Sequence, residues 1–294
     1  MQGVFYFYSM EIAIIQTNLI WENPKANRVQ FEQKINAITQ HVDLIVLPEM
    51  FSTGFTMFPN DLAETMNGET VSWMQEVAKT KQSAICGSII IVENENFYNR
   101  FVFVLPNGKI DTYNKRHLFS LAGEHEQYTQ GTEKVIIEYK GWKICPQICY
   151  DLRFPVFSRN IEEYDLLIYV ANWPKPRIQA WDALLKARAI ENMSFVVGVN
   201  RIGLDENKHE YVGHSIVLDE LGHSIVEANE NDGVFITSLD KEKMLAQVSQ
   251  LSHQGSLTTI SGNSLKLDAD SLCVHGDNPQ AVSEIRQIRT MLKA

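Results

Sequence analysis

The chain has 294 residues, 45% hydrophobic and 21% charged, with a formal net charge of −10 at pH 7. That is the composition of a soluble globular protein, and its acidic balance argues against nucleic acid or an anionic membrane as the main partner, since both call for a basic face. No apolar run approaches the roughly 20 residues that span a bilayer, and four cysteines in 294 residues make no disulfide scaffold.

The chain opens "MQGVFYFYSMEIAIIQTNL", apolar and aromatic, with no Lys or Arg ahead of the apolar part. It thus lacks the charged region of a signal peptide. Met10 directly precedes a clean strand, "IAIIQTNL" at 12–19, so residues 1–9 are expected to be an extension outside the fold. Asn23 as N-cap and Pro24 at the first helical position predict a helix over "NPKANRVQFEQKINAITQ". "DLIVLPEM" (43–50) is a continuous apolar run that ends in Pro48 and Glu49. "SAICGSIIIVEN" and "RFVFVLPNGKI" read as neighbouring strands, the second closing on an Asn107-Gly108 turn. "WKICPQICY" reads as another strand, with Pro146 marking an edge or bulge. "DLLIYVANWP" follows, and then "RIQAWDALLKARAIEN" with helical apolar spacing. "SFVVGVNRIG", "YVGHSIVLDELGHSIVEAN" and "GVFITSLD" complete the strands. Strands alternating with helices, several apolar on both faces, predict an α/β protein whose sheet is covered by helices.

Polar residues stand at the C-terminal ends of these strands: Glu49 after "DLIVLP", Cys149 after "KICPQI" and Asn172 after "DLLIYVA". Ligands bind at that edge in α/β folds. Taken alone, Cys149 reads first as a small buried hydrophobe, as most free cysteines do. Its place where an apolar strand breaks into "YDLRFP" also suits an exposed nucleophile on a strand-to-turn elbow, whose pKa must be lowered by cations, a base or a helix N-terminus. Cys145 and Cys149 on one strand would lie roughly 13 Å apart, too far for a bridge. Free thiols without an export signal predict the cytoplasm. Lys115 in "YNKRHLF" and Glu124 and Glu126 in "GEHEQY" read equally as surface charge.

The blocks "LPEMFSTGF", "YNKRHLF", "ICYDLRFP", and "VANWP" with "ARAIENM", in this order, resemble the nitrilase superfamily of carbon–nitrogen hydrolases, and within it the omega-amidase branch, from about Met10 to about Met244. The resemblance implies a four-layer α-β-β-α sandwich that dimerises through helices, burying the "RIQAWDALLKARAIENM" region. It implies a triad in which Glu49 is the general base, Lys115 stabilises the oxyanion and Cys149 is the nucleophile. A second glutamate of the family maps to Glu124, seven residues before Gly131, rather than to Glu126. The Tyr150 N–H joins the oxyanion site, and Arg153, four residues after the cysteine, binds the substrate carboxylate; an Arg153–Asp151 ion pair is the plainer alternative. Omega-amidases of the animal and fungal type carry threonines after the strand-ending asparagine, whereas "NWPKP" here resembles a bacterial subgroup with Trp173 at the pocket wall. Phe55, in "LPEMFSTGF", is a further expected pocket residue. No metal or organic cofactor is implied.

The reaction so implied is hydrolysis of the ω-amide of a small dicarboxylic or 2-oxo acid to the acid and ammonia through a thioester. The alternatives are a nitrile or N-carbamoyl amino acid hydrolase of the same superfamily, or a non-catalytic protein that keeps the fold. The match covers residues 10–244 as a hydrolase domain and fades in residues 245–294, whose "DSLCVHGDNPQAV" resembles the C-terminus of a 5-oxoprolinase family. That tail raises the further alternative of a component of a 5-oxoproline-cleaving assembly. One or two strands are expected in "SLKLDADSLCV" and a helix in "NPQAVSEIRQIRTML".

Overall fold

The structure, a computed structural model, describes residues 9–241 and the backbone of two short strands at 256–258 and 264–266. Met10–Arg159 and Tyr164–Ser238 form one compact unit; Met1–Ser9, Asn160–Glu163 and Leu239–Ala294 group as a second. In the second unit Ser256–Thr258 and Ser264–Lys266 pair antiparallel. The expected strand at "SLK" is thus present, whereas the "NPQAVSEIRQIRTML" helix and the resemblance carried by "DSLCVHGDNPQAV" lie outside the described residues.

The first sheet is built from β1 (Ser9–Gln16), β2 (Leu44–Val46), β3 (Ala84–Glu93), β4 (Asn96–Val104), β5 (Ile110–Asn114) and β14 (Gly233–Asp240), in the order β14-β1-β2-β3-β4-β5. β1, β2 and β3 are parallel, which explains their apolar character on both faces. Helix α1 (Pro24–Asn36) starts as its sequence predicts: the Asn23 side chain accepts from the Ala26 N–H and Pro24 fills the first turn. Helix α2 (Glu69–Lys81) has no counterpart in the sequence reading; it buries Val71, Met74, Val77 and Ala78. Phe31 of α1 meets Phe51 edge-on at 5.5 Å, in the core that joins these helices to the sheet. Fully burying one such side chain contributes about 1.5–3 kcal/mol.

The second sheet is built from β6 (Ile137–Tyr139), β7 (Trp142–Ile148), β8 (Leu166–Ala171), β9 (Phe195–Asn200), β12 (Ser215–Leu218) and β13 (Ser224–Asn229), in the order β13-β12-β9-β8-β7-β6. β10 (Ile202–Leu204) and β11 (Glu210–Val212) make a separate antiparallel hairpin. Two short helices, α3 (Glu124–Gln127) and α4 (Pro155–Ser158), lie in the connections. β6 pairs with β7 only through Ile144, so Pro146 stands past that ladder, where a missing N–H costs nothing.

Helix α5 (Ile178–Asn192) covers the second sheet. It packs so closely that a Cβ on Gly198 would come within 2.5 Å of Leu185 and 2.9 Å of Trp181. The sheets meet where Phe103 packs on Tyr139 at 6.0 Å and Gln16 bonds the Ser215 N–H. Helices outside and two sheets inside give the expected α-β-β-α sandwich.

Candidate active site

Two strands of the two sheets end beside each other. β2 gives way after Val46 to a loop that carries Glu49, and β8 ends at Ala171, one residue before Asn172. Across 123 positions the Asn172 backbone N–H donates to Glu49 Oε2 at 2.7 Å, and the Asn172 side-chain amide donates to the Glu49 carbonyl at 2.7 Å. Met50 adopts φ 42° and gives its N–H to Ser88 Oγ at 2.9 Å, which fixes the turn presenting Glu49.

Lys115 follows β5. Its N–H donates to the Asn99 carbonyl at 3.0 Å, and its own carbonyl accepts from the Gly131 N–H at 2.8 Å. A Cβ at Gly131 would lie 2.1 Å from the Asn114 carbonyl oxygen, so the second contact requires glycine. This backbone clamp turns Lys115 inward, and it is not the exposed loop lysine that its charged neighbourhood suggests: side chain and partners are fully enclosed. Nζ lies 2.8 Å from Glu49 Oε1 and 3.0 Å from each Glu124 oxygen. It also sits 5.2 Å from the centre of the Phe55 ring. Glu124 is the buried member of its pair, whereas Glu126 is exposed. Burial works against the ammonium, but the Glu124 and Glu49 carboxylates outweigh it and hold the Lys115 pKa above the ordinary lysine value. Burial raises the Glu124 pKa, against the opposing pull of Lys115.

Asn99 is a site residue that the sequence did not reveal. Its side-chain amide donates to Glu49 Oε1 at 2.8 Å and to Glu124 Oε1 at 3.2 Å, tying both carboxylates together. It lies mid-strand in β4, and only the register that sets Asn99 opposite Ile90 exposes its role.

Cys149 begins a single 3₁₀ turn immediately after β7 and takes φ 47°, a left-handed conformation that a non-glycine residue adopts at a cost of about 1–3 kcal/mol. Asp151 holds that elbow. Its buried carboxylate accepts from the Ile148 N–H (3.0 Å), the Tyr113 hydroxyl (2.7 Å) and the His117 N–H (2.9 Å). Arg188 of α5 donates to the Leu152 carbonyl at 2.7 Å. The abrupt polarity of "YDLRFP" is therefore the scaffold of the turn. Asp151 being so occupied, the Arg153–Asp151 ion pair does not form. The Arg153 guanidinium lies over the Trp173 ring, 5.2 Å from its centre. Contrary to the sequence expectation, the Cys149 thiol pKa is raised. Burial is the main cause and the Glu49 carboxylate adds to it, while Lys115 only partly opposes them.

These residues open onto one cavity of about 480 Å³. Cys149, Tyr150, Arg153, Trp173 and Phe55 all line it, together with Asn172. Glu49, Lys115 and Glu124 stand behind the thiol. Cys86, Cys145 and Cys149 are free, and Cys273 lies outside the described residues. Among the described residues no group of three or more His, Cys, Asp or Glu is placed to hold a metal ion, and no helix is long and apolar enough to cross a membrane.

Fold and site together define a hydrolase of the nitrilase superfamily. The family model for carbon-nitrogen hydrolases matches residues 11–247, and the chain belongs to that family. It is 46% identical over 222 residues to an omega-amidase, YafV, of Yersinia enterocolitica, covering 75% of this chain and 85% of that one. It is 32% identical over 237 residues to a 2-oxoglutaramate amidase of Bacillus subtilis, covering 79% and 91%. A CN-hydrolase superfamily protein of Xanthomonas campestris, solved with an arsenic adduct in its active site, superposes with a TM-score of 0.79 at 37% identity, covering 91% of this chain and 99% of that one.

Proposed function

We propose that this chain is a cysteine-dependent omega-amidase that releases ammonia from the ω-amide of a small dicarboxylic or 2-oxo acid, 2-oxoglutaramate being the model substrate. The observation that carries this reading is the enclosed Glu49–Lys115–Glu124 cluster directly behind a strained thiol, in a cavity whose wall holds an arginine with no carboxylate partner among the described residues.

Cys149 rests as a neutral thiol, so attack and proton loss are coupled. Its Sγ bonds to the amide carbon while the thiol proton passes to Glu49. The carbonyl oxygen becomes an oxyanion that meets the Lys115 ammonium and the Tyr150 N–H; one such preorganised donor is worth about 3 kcal/mol. Collapse breaks the C–N bond, and Glu49 returns its proton to the leaving nitrogen, giving ammonia and a thioester. Glu49 then takes a proton from water, whose oxygen attacks the thioester; the acid leaves and the proton returns to sulfur. Glu124 keeps Lys115 charged and aimed. Arg153, held on Trp173, grips the far carboxylate with its planar fork.

Ammonia release across ω-amides, nitriles and N-carbamoyl amino acids tests this. Turnover of nitriles but not amides would move the protein to the alternative reaction. We further propose residues 10–244 as the hydrolase domain, with 1–9 and 245–294 as appendages, and the cytoplasm as its place of work. A homodimer through α5 is supported by the exposed apolar side chains Ile190 and Met193 at its end and Leu221 in the β12–β13 turn. Light scattering of the purified chain decides it.

A further inference from the structure

The cavity wall contains a second arginine that the reaction above leaves unused. Arg177 ends the short 3₁₀ turn Lys175–Arg177, four residues after Trp173, and lines the same cavity as Cys149 and Arg153. The two arginines share one anchor. Arg153 lies over the Trp173 ring at 5.2 Å, and the indole N–H of Trp173 donates to the Arg177 carbonyl at 2.7 Å. The Arg177 guanidinium in turn lies over Phe119, 4.9 Å from the ring centre. An aromatic face under a guanidinium restrains it without occupying its donors, and so preorganises it for an incoming acceptor.

The acids around the cavity are already committed. Asp205 accepts from the Tyr211 hydroxyl at 2.9 Å and from the His209 N–H at 2.8 Å. Glu210 takes Lys175 Nζ at 2.8 and 2.9 Å, which also ties the β10–β11 hairpin to the turn that bears Arg177. Among the described residues neither Arg153 nor Arg177 has a carboxylate partner. A protein of net charge −10 therefore keeps two uncommitted guanidinium groups in its cavity. One carboxylate satisfies one fork bidentately. A second, adjacent fork needs a second acceptor on the same ligand, because a carbonyl oxygen enclosed without a donor loses binding energy.

We propose that Arg177 is a second specificity-determining residue: it receives the 2-oxo oxygen of the substrate beside the carboxylate bound by Arg153, and so selects ω-amides of 2-oxo dicarboxylic acids over those of plain dicarboxylic acids. This rests on the amidase reading given above.

The test compares two monoamides, those of a five-carbon 2-oxo dicarboxylic acid and of the same acid without the oxo group. kcat and KM are measured for the full chain as wild type, Arg177→Met, Arg177→Lys and Arg153→Met. In Arg177→Met the kcat/KM ratio of oxo to plain amide falls about 10- to 100-fold, the loss carried by KM, because a hydrogen bond from a charged donor disappears for one substrate only. Arg177→Lys keeps charge but not the fork, and lowers the ratio in the same direction; it carries the test if the methionine variant does not fold. Arg153→Met weakens both substrates alike and leaves the ratio in place. An unchanged ratio in both Arg177 variants, whether the two rates fall together or not at all, overturns the proposal. A wild-type chain that releases ammonia from neither monoamide overturns instead the amidase reading on which it stands.

Discussion

Asn172 holds Glu49 at two points, giving its backbone N–H to the Oε2 oxygen and its side-chain amide to the Glu49 main-chain carbonyl, both at 2.7 Å. The two residues belong to different sheets, so the position of the proposed base depends on how the sheets stack. Asn172→Ala removes the second tie and keeps the first; we expect kcat to fall about 10- to 100-fold, as for other residues that orient a reacting group. Steady-state kinetics with a ω-amide measure this, and a wild-type kcat would show that the backbone contact suffices.

Cys149→Ala abolishes ammonia release with the melting temperature little changed, since one sulfur is removed from a strained elbow. Cys145→Ala, four residues earlier in β7, costs little activity. The reverse pattern would assign the nucleophile to Cys145.

Lys115 compensates two enclosed carboxylates. Lys115→Met leaves Glu49 and Glu124 buried together without a cation, and is expected to lower stability by about 3–5 kcal/mol in addition to abolishing turnover. Adding Glu124→Gln to that variant removes one of the stranded charges and recovers part of the stability without activity. Denaturant titration reads this; equal stability of the single and double variants would mean that Glu124 is already protonated.

The Cys149 thiol is raised above the ordinary thiol pKa of about 8.5, by burial first and by Glu49 second. A folded pKa above the unfolded one means that the native state holds its proton more tightly. Its contribution to stability is therefore complete below the ordinary value and is lost as the pH rises past it towards the folded value. The wild type should show no ultraviolet thiolate absorbance at neutral pH beyond that of Cys149→Ala, and should lose stability relative to that variant in alkaline buffer. A thiolate signal at neutral pH would contradict the coupled proton transfer to Glu49.

Every group of the proposed site precedes residue 215, and the described hydrolase sheets end at Asp240. A chain truncated after about residue 250 should stay soluble and hydrolyse ω-amides at the rate of the full chain. Loss of activity or solubility on truncation would make residues 245–294 part of the fold or of the assembly.

The sequence by itself determined the strand ends. Apolar runs that stop at Glu49, Cys149 and Asn172 mark the sheet edge because a charged or reactive group cannot continue a doubly covered strand, and the order of the surrounding blocks identified the family. It also determined the start of α1, where Asn23 and Pro24 act within one turn. What lies across space was decided only by the tertiary structure. Lys115 reads as an exposed loop residue until the Asn99 carbonyl and Gly131 clamp its backbone inward. Asn99 reads as an ordinary strand residue until β3 and β4 set its register. The direction of the Cys149 pKa follows from burial beside Glu49, which no local pattern encodes. Arg177 reads as a surface charge until Trp173 brings it beside Arg153. Local signals record what a residue does to its own backbone; the electrostatics of a site record which distant residues the fold encloses together, away from water.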